Sequence, residues 1–239
     1  RSSEALFGRS EQMKILEIET ATKACSLGLG IDGVMTTEFV ELKRTHSRES
    51  LPRIANLLTK VGVQAGELDL IVYGKGPGSF TGLRIAVGVV QGLAYGLGVP
   101  VVGISTLACC AQGRYRQHGD DLIVVAETAR ADEVFFGAYG VAEGLVYPKI
   151  ADAIYVASEA PALPDGSWVG IGSAWMTLQS PLETALLQTM TRIETRVFPL
   201  AQDLLDMGLA AFNNGLAHDP MLATPEYLRE QVAAKPEKK

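Results

Sequence analysis

The stretch from Asp69 to Ser105, DLIVYGKGPGSFTGLRIAVGVVQGLAYGLGVPVVGIS, constrains the fold more than any other part of this 239-residue chain. A short β-branched run, Leu70–Tyr73, ends in a loop dense in Gly and Pro. A helical segment follows over about Thr81–Leu97, and a second apolar run, Val101–Ile104, completes a β-loop-α-β unit. In the helix, Leu83, Ile85, Val87, Val89, Val90, Leu93 and Leu97 project around most of the circumference. A helix apolar on every side is normally buried on every side, and this chain is short for wrapping one. Gly88, Gly92 and Gly96 also recur every fourth residue, each costing up to about 1 kcal/mol relative to Ala. Such a stripe needs a packing reason. Two readings stand: close approach of a second protein's backbone, or a core helix held between this chain's own sheet and another of its helices.

A hydrophobic content of 47% supplies a real core for one large or two small domains. No run of eighteen apolar residues free of breaks and charges occurs, which argues against a membrane span. Residues 1–12, RSSEALFGRSEQ, lack both a signal-peptide pattern and periodicity, and read as a disordered leader or a remnant of expression. Cys25, Cys109 and Cys110 are odd in number and form no C-x-x-C pair. They imply neither a disulfide framework nor a zinc site, and a reducing cytoplasm suits them. The formal charge of −6 is uneven: residues 1–119 carry 13 Lys/Arg against 10 Asp/Glu, residues 120–239 carry 8 against 17. Before the Lys-rich tail no basic run exceeds Lys43-Arg44. Phosphate binding needs clustered cations, so binding nucleic acid alone is disfavoured. The acidic half suits either a solvated face or a basic partner.

Along the chain, Lys14–Glu19 alternates as a strand and Cys25–Ile31 makes a second. Asp32-Gly33 is a hairpin signal leading to a third strand, about Val34–Leu42. A helix follows, with Ser47 or Ser50 as its cap, Pro52 in its first turn and Gly62 at its end. Leu51, Ile54, Ala55 and Leu58 form its apolar face. The order β-β-β-α-β-α-β closes with a helix over about Thr106–Gln117. A second, degenerate cycle starts at Leu122–Ala126, continues through Val134–Gly140 and a hairpin partner near Leu145–Pro148, and runs through a Pro-rich, poorly periodic Ala151–Gly166. Trp168–Ile171 reads as a strand and Ala201–Ala217 as a helix. The pattern predicts an α/β chain of two lobes, 13–119 and 120–239, joined near Gly119–Asp120.

The loop Gly74–Gly82 invites a phosphate-loop reading, because Gly-rich backbone at a helix start aims amide donors at anions. No Lys-Ser/Thr follows Gly82, however, so the Walker pattern fails. Ser79 or Thr81 as a cap, with glycines for the tight turn, is the simpler reading. Gly-x-Ser-x-Gly spacing is absent around Ser79, and His46, His118 and His218 are placed as solvated groups. No His-x3-His or His-Glu-x2-His occurs. Glu127, Asp132 and Glu133 around Arg130 could position a divalent ion, but a surface ion-pair group is the simpler reading. Arg84 opposes the dipole in the helix's first turn, which a carboxylate partner or a protein interface would justify. Glu19 and Thr20, with Gly76, Gly78, Ser79 and Thr81, plus Gly170 and Gly172, form the candidate anion or nucleotide cleft.

Gly76–Arg84 (GPGSFTGLR), Ile18–Ser26 (IETATKACS), Gly103–Leu107 (GISTL), Ala129-Arg130 with Glu133-Val134, and Pro225–Arg229 (PEYLR) together closely resemble the bacterial TsaB (YeaZ) family. The resemblance runs from Met13 to the C-terminus. It implies a two-lobed actin-like ATPase (ASKHA, ribonuclease H-like) fold with a duplicated βββαβα core, the second lobe degenerate. It further implies a non-catalytic cytoplasmic partner of the enzyme TsaD. With TsaE, the two move a threonylcarbamoyl group onto the adenosine beside the anticodon of certain tRNAs. Family members also form homodimers and contact TsaD through N-lobe helices, here residues 51–60 and 81–97. The implied partner interface is Leu51, Ile54, Leu58, Arg84, Ile85, Gly88, Val89, Gly92, Leu93 and Gly96. TsaD carries a metal-binding His-x3-His where this chain has Ser105, Thr106, Cys109 and Cys110, so no metal or other cofactor is implied, apart from weak nucleotide binding at a partner interface. Glu19 replaces the family's usual Asp-Thr start and Thr128 its Asp-Ala-Arg, which argues against ATP hydrolysis. A residual nucleotide-dependent or peptidase enzyme is the alternative.

Overall fold

A computed structural model of the protein describes residues 13–41, 46–186 and 190–228; the leader reading for residues 1–12 falls outside them. Three strands open the chain, β1 (Lys14–Glu19), β2 (Ala24–Ile31) and β3 (Val34–Glu41). Helix α1 (His46–Val61), β4 (Leu70–Gly76), helix α2 (Phe80–Leu97), β5 (Val101–Ser105) and helix α3 (Thr106–His118) follow. The second half contains β6 (Leu122–Arg130), β7 (Glu133–Ala142), β8 (Leu145–Val156), β9 (Trp168–Ile171), α4 (Ala174–Thr177), α5 (Gln179–Leu186), β10 (Met190–Glu194) and α6 (Leu205–Asn213).

The two sheets have the same plan. The first runs β3-β2-β1-β4-β5 and the second, from the other end, β8-β7-β6-β9-β10. In each, three antiparallel strands form a meander and the remaining two join in parallel. This is the two-lobed actin-like architecture. Degeneracy of the second lobe lies in its helices: a three-residue 3₁₀ turn, Ala157–Glu159, stands between β8 and β9 where α1 stands in the first lobe. Asp32-Gly33 makes the β2–β3 turn with φ of 49° and 75°, pairing Ile31 with Val34, the geometry that such a dipeptide favours.

Burial follows from strand alternation. Leu16, Ile18, Leu27 and Leu29 face α1 and α2, meeting Ile54, Leu57, Val87 and Val90. Ile15, Leu70, Val72 and Val102 face the other way, toward Cys109, Leu204 and Met207. Helix α3 lies between the lobes, because Leu107, Cys110 and Ala111 pack on Ile123, Val125 and Tyr139 of the second sheet. After β10 the chain returns to the first lobe. Val101 bridges His218, Ala223 is buried in the first lobe's core, and Glu226 N–H donates to the Lys75 carbonyl at 2.7 Å.

Several sequence readings are corrected. Helix α1 begins at His46, so Ser47 and Ser50 lie inside it and Pro52 sits beyond its first turn; Ser50 is buried. Residues 151–156 continue β8 instead of forming an irregular stretch. Ala201–Ala217 is not one helix. A 3₁₀ turn, Ala201–Asp203, precedes α6, because the Ala201 N–H is drawn to Ser26 Oγ at 2.9 Å and the Asp203 carboxylate to Arg116 Nε at 2.6 Å. Helices α4 and α5 and strand β10 are additional elements.

Candidate functional site

Helix α2 starts where Ser79 Oγ accepts the Gly82 N–H at 3.3 Å and stops at Gly98, which adopts φ +68°; both fit helix-end chemistry. Leu83, Ala86, Val87, Val90 and Ala94 are buried toward the sheet, while Ile85, Val89, Leu93 and Leu97 are half-buried. The remaining face is open. Gly88, Gly92 and Gly96 are exposed, and a Cβ built on any of them would meet nothing within 4 Å. Among the described residues, no backbone of the chain beyond α2 itself comes close to these glycines. Leu51 of α1, 51% exposed, joins Arg84, Ile85, Gly88, Val89, Gly92 and Leu93 around a shallow groove of about 480 Å³. Ile54 and Leu58, expected on this interface, are instead buried in the core between α1 and the sheet. Among the described residues α2 is the one helix long and apolar enough to cross a membrane, yet its buried side is fastened to the sheet through Leu83, Val87 and Val90.

Arg84 finds neither of the partners its position called for within the described chain. Its guanidinium lies 3.7 Å from the Phe80 ring centroid, and its Nε donates to Tyr227 Oη at 2.9 Å. Phe80 and Tyr227 are themselves in ring contact, 5.6 Å between centroids. The stack compensates part of the adverse helix dipole.

The cleft residues assemble differently from the expectation. Glu19 is buried and turns back on its own chain: it accepts the Ala21 N–H at 2.6 Å and the Thr106 hydroxyl at 3.2 Å. Burial raises its pKa to about 7 against those hydrogen bonds. The glycine loop folds onto the β1–β2 turn. Ser79 N–H donates to the Ala21 carbonyl at 2.7 Å, and Thr20 Oγ1 reaches the Gly82 carbonyl at 3.5 Å. A Cβ on Gly78 would lie 2.4 Å from the Ala21 oxygen. The glycines thus let two backbone segments touch, and the Ser79 and Gly82 amides serve the chain itself. Gly76 ends β4 beside Leu83, and Thr81 is exposed on the first turn of α2. Gly170 lies in β9 against Trp175, and Gly172 follows the strand against the Ala126 carbonyl, its amide donating to the Glu194 carbonyl at 3.0 Å.

Other polar groups were not legible as a set. Glu127 leaves the Arg130 group and takes both the hydroxyl and the amide of Ser173, while burial pushes its carboxyl up. Ser105 Oγ accepts the Ala108 N–H at 3.1 Å and donates to Asp152 of β8, which also receives the Tyr139 hydroxyl. That pair pins the first lobe to the second. Glu17 is wholly buried against Gly28 and Gly30, and its carboxyl oxygens have no hydrogen-bond partner among the described residues. Burial holds its pKa well above the usual range.

The duplicated sheets with a helix wedged between them define the class: a two-lobed, actin-like α/β protein. A family model described as TsaD, tRNA N6-adenosine threonylcarbamoyltransferase, matches residues 40–236. The tRNA threonylcarbamoyladenosine biosynthesis protein TsaB of Escherichia coli K12 is 35% identical over 93% of this chain and 97% of its own length. Its Bacillus subtilis namesake is 34% identical over 59% of this chain and 61% of its own. The solved structure of YeaZ from Pseudomonas aeruginosa superposes with a TM-score of 0.85 at 33% identity, covering 91% of this chain and all of that one. A second Pseudomonas aeruginosa structure with the same agreement is described as similar to peptidase YeaZ. The chain belongs to the TsaB (YeaZ) family.

Proposed function

We propose that this protein is a non-catalytic scaffold subunit in threonylcarbamoyl transfer to the adenosine beside the anticodon of tRNAs. It acts by docking the open face of α2, with Leu51 of α1, onto TsaD, and TsaE completes the assembly. In isolation the same face pairs two copies. Transfer RNA is reached only through the complex, and any nucleotide is held weakly at the partner interface. The observation that carries this reading is the glycine stripe: three helical glycines on which an added Cβ would meet no neighbour within 4 Å among the described residues. Each forfeits helix propensity, which makes sense where a partner's backbone must come close. The names of the relatives support the pathway.

The rival is a nucleotide-dependent or peptidase enzyme working in the interlobe cleft. The enclosure of Glu19 and the internal use of the loop's amides weigh against it. Reconstituting tRNA modification from purified TsaD and TsaE, with and without this chain, tests the proposal. The expected outcome is modification only when the chain is present, with no saturable heat when magnesium-ATP is titrated into the chain alone. Full modification without it would refute the scaffold role.

A further inference from the structure

The groove beside α2 contains one cation. That cation is Arg84, and a second, Arg48, is exposed one turn before Leu51 on α1. Neither forms an ion pair among the described residues. Arg84 is also held in one orientation. Stacking on Phe80 fixes the guanidinium plane, and Tyr227 takes the Nε hydrogen. The two terminal amino groups of the fork remain, a rigid geometry suited to a carboxylate.

A second copy of this chain is poorly equipped to supply that carboxylate. Helix α2 contains no Asp or Glu, and the one acid on α1, Glu49, already accepts Arg53 Nε at 3.0 Å and Nη2 at 2.6 Å. Glu226, next to Tyr227 in the chain, is paired with Lys75 at 3.2 Å. Self-pairing through the glycine stripe brings no acid of α2, and only the already paired Glu49 of α1, toward the fork.

We propose that Arg84, oriented by Phe80 and Tyr227, reads a carboxylate on the heterologous partner and so favours that partner over a second copy. The matching surface is a helix that is small and apolar over Gly88–Gly92, with an Asp or Glu above Arg84. This rests on the docking reading given above and names the polar contact within it.

The test compares wild type with Arg84→Gln, Arg84→Lys, Tyr227→Phe and Gly92→Leu. Affinity for purified TsaD is measured by calorimetry at two salt concentrations, and self-association by sedimentation equilibrium. Arg84→Gln is expected to weaken the heterologous complex roughly tenfold to a hundredfold and flatten its salt dependence, with self-association changed less than about twofold. Arg84→Lys recovers little, because a point charge does not reproduce the fork. Tyr227→Phe, which removes only the orienting acceptor, gives a smaller loss in the same direction. If Arg84→Gln binds TsaD like wild type while Gly92→Leu does not, docking stands and the carboxylate contact is refuted. Equal loss in self-association refutes the discrimination. If both variants bind TsaD like wild type, the docking reading itself falls.

Discussion

Two groups of glycines, one loop apart, teach opposite lessons. Gly78 and Gly82 lie against the backbone of the β1–β2 turn, where a Cβ would come within 2.4 Å and 2.6 Å of carbonyl oxygens. Gly88, Gly92 and Gly96 face open space. The first group lets the glycine loop close onto the β1–β2 turn; the second leaves open a helix face that a globular protein normally covers. In this chain the glycine loop is filled by the backbone of the β1–β2 turn, and the uncovered surface lies on the outside of α2.

The comparison breaks most sharply at Gly78. Gly78→Ala is expected to cost about 2–4 kcal/mol, since a backbone carbonyl cannot yield as a side chain can; urea denaturation measures it. A loss below about 0.5 kcal/mol would mean that the loop is loose and the cleft can open. The buried acids probe the same enclosure. Glu19 has a folded pKa of about 7, raised above its unfolded value, so its contribution is fully present below about pH 4.5 and is lost as pH rises toward 7. The difference between wild type and Glu19→Gln should therefore grow by up to about 3 kcal/mol across that window. A pH-independent difference would show a hydrated carboxylate.

Glu17→Met keeps the volume and removes a carboxyl that nothing in the described chain satisfies. It should stabilise the protein by about 1–3 kcal/mol at pH 8, read as a higher urea midpoint. The smallest effect lies on the open face. Gly92→Ala should stabilise by about 0.5–1 kcal/mol through helix propensity alone, the opposite sign to Gly78→Ala. A destabilisation there would place a neighbour over the stripe in the isolated chain.

Much of this was legible locally. The β-loop-α-β unit around α2, the Asp32-Gly33 hairpin and the Ser79 cap rest on short-range periodicity and turn chemistry, and they stand in the structure where the residues put them. The open flank of α2 was visible as too many apolar residues around one helix. What escaped was long-range. Tyr227 meets Arg84 across 143 positions and Ser105 meets Asp152 across 47, and no local pattern encodes such pairs. Ile54 and Leu58 show the same limit: an apolar face on α1 tells which residues are covered, not whether sheet or partner covers them. Strand β10 is a five-residue edge element, three of whose side chains are exposed, leaving little hydrophobic period to read. Ala201–Ala217 has helical periodicity throughout, but tertiary bonds to Ser26 and Arg116 override its first turn.

On the proposed function, the glycine stripe of α2 is a contact surface rather than a packing accident. Sedimentation velocity of Gly92→Leu mixed with TsaD tests it most directly, alongside a thermal melt of the variant alone. The expected variant is folded, melts at or above the wild-type temperature and sediments separately from TsaD. A complex of wild-type size and affinity would contradict it.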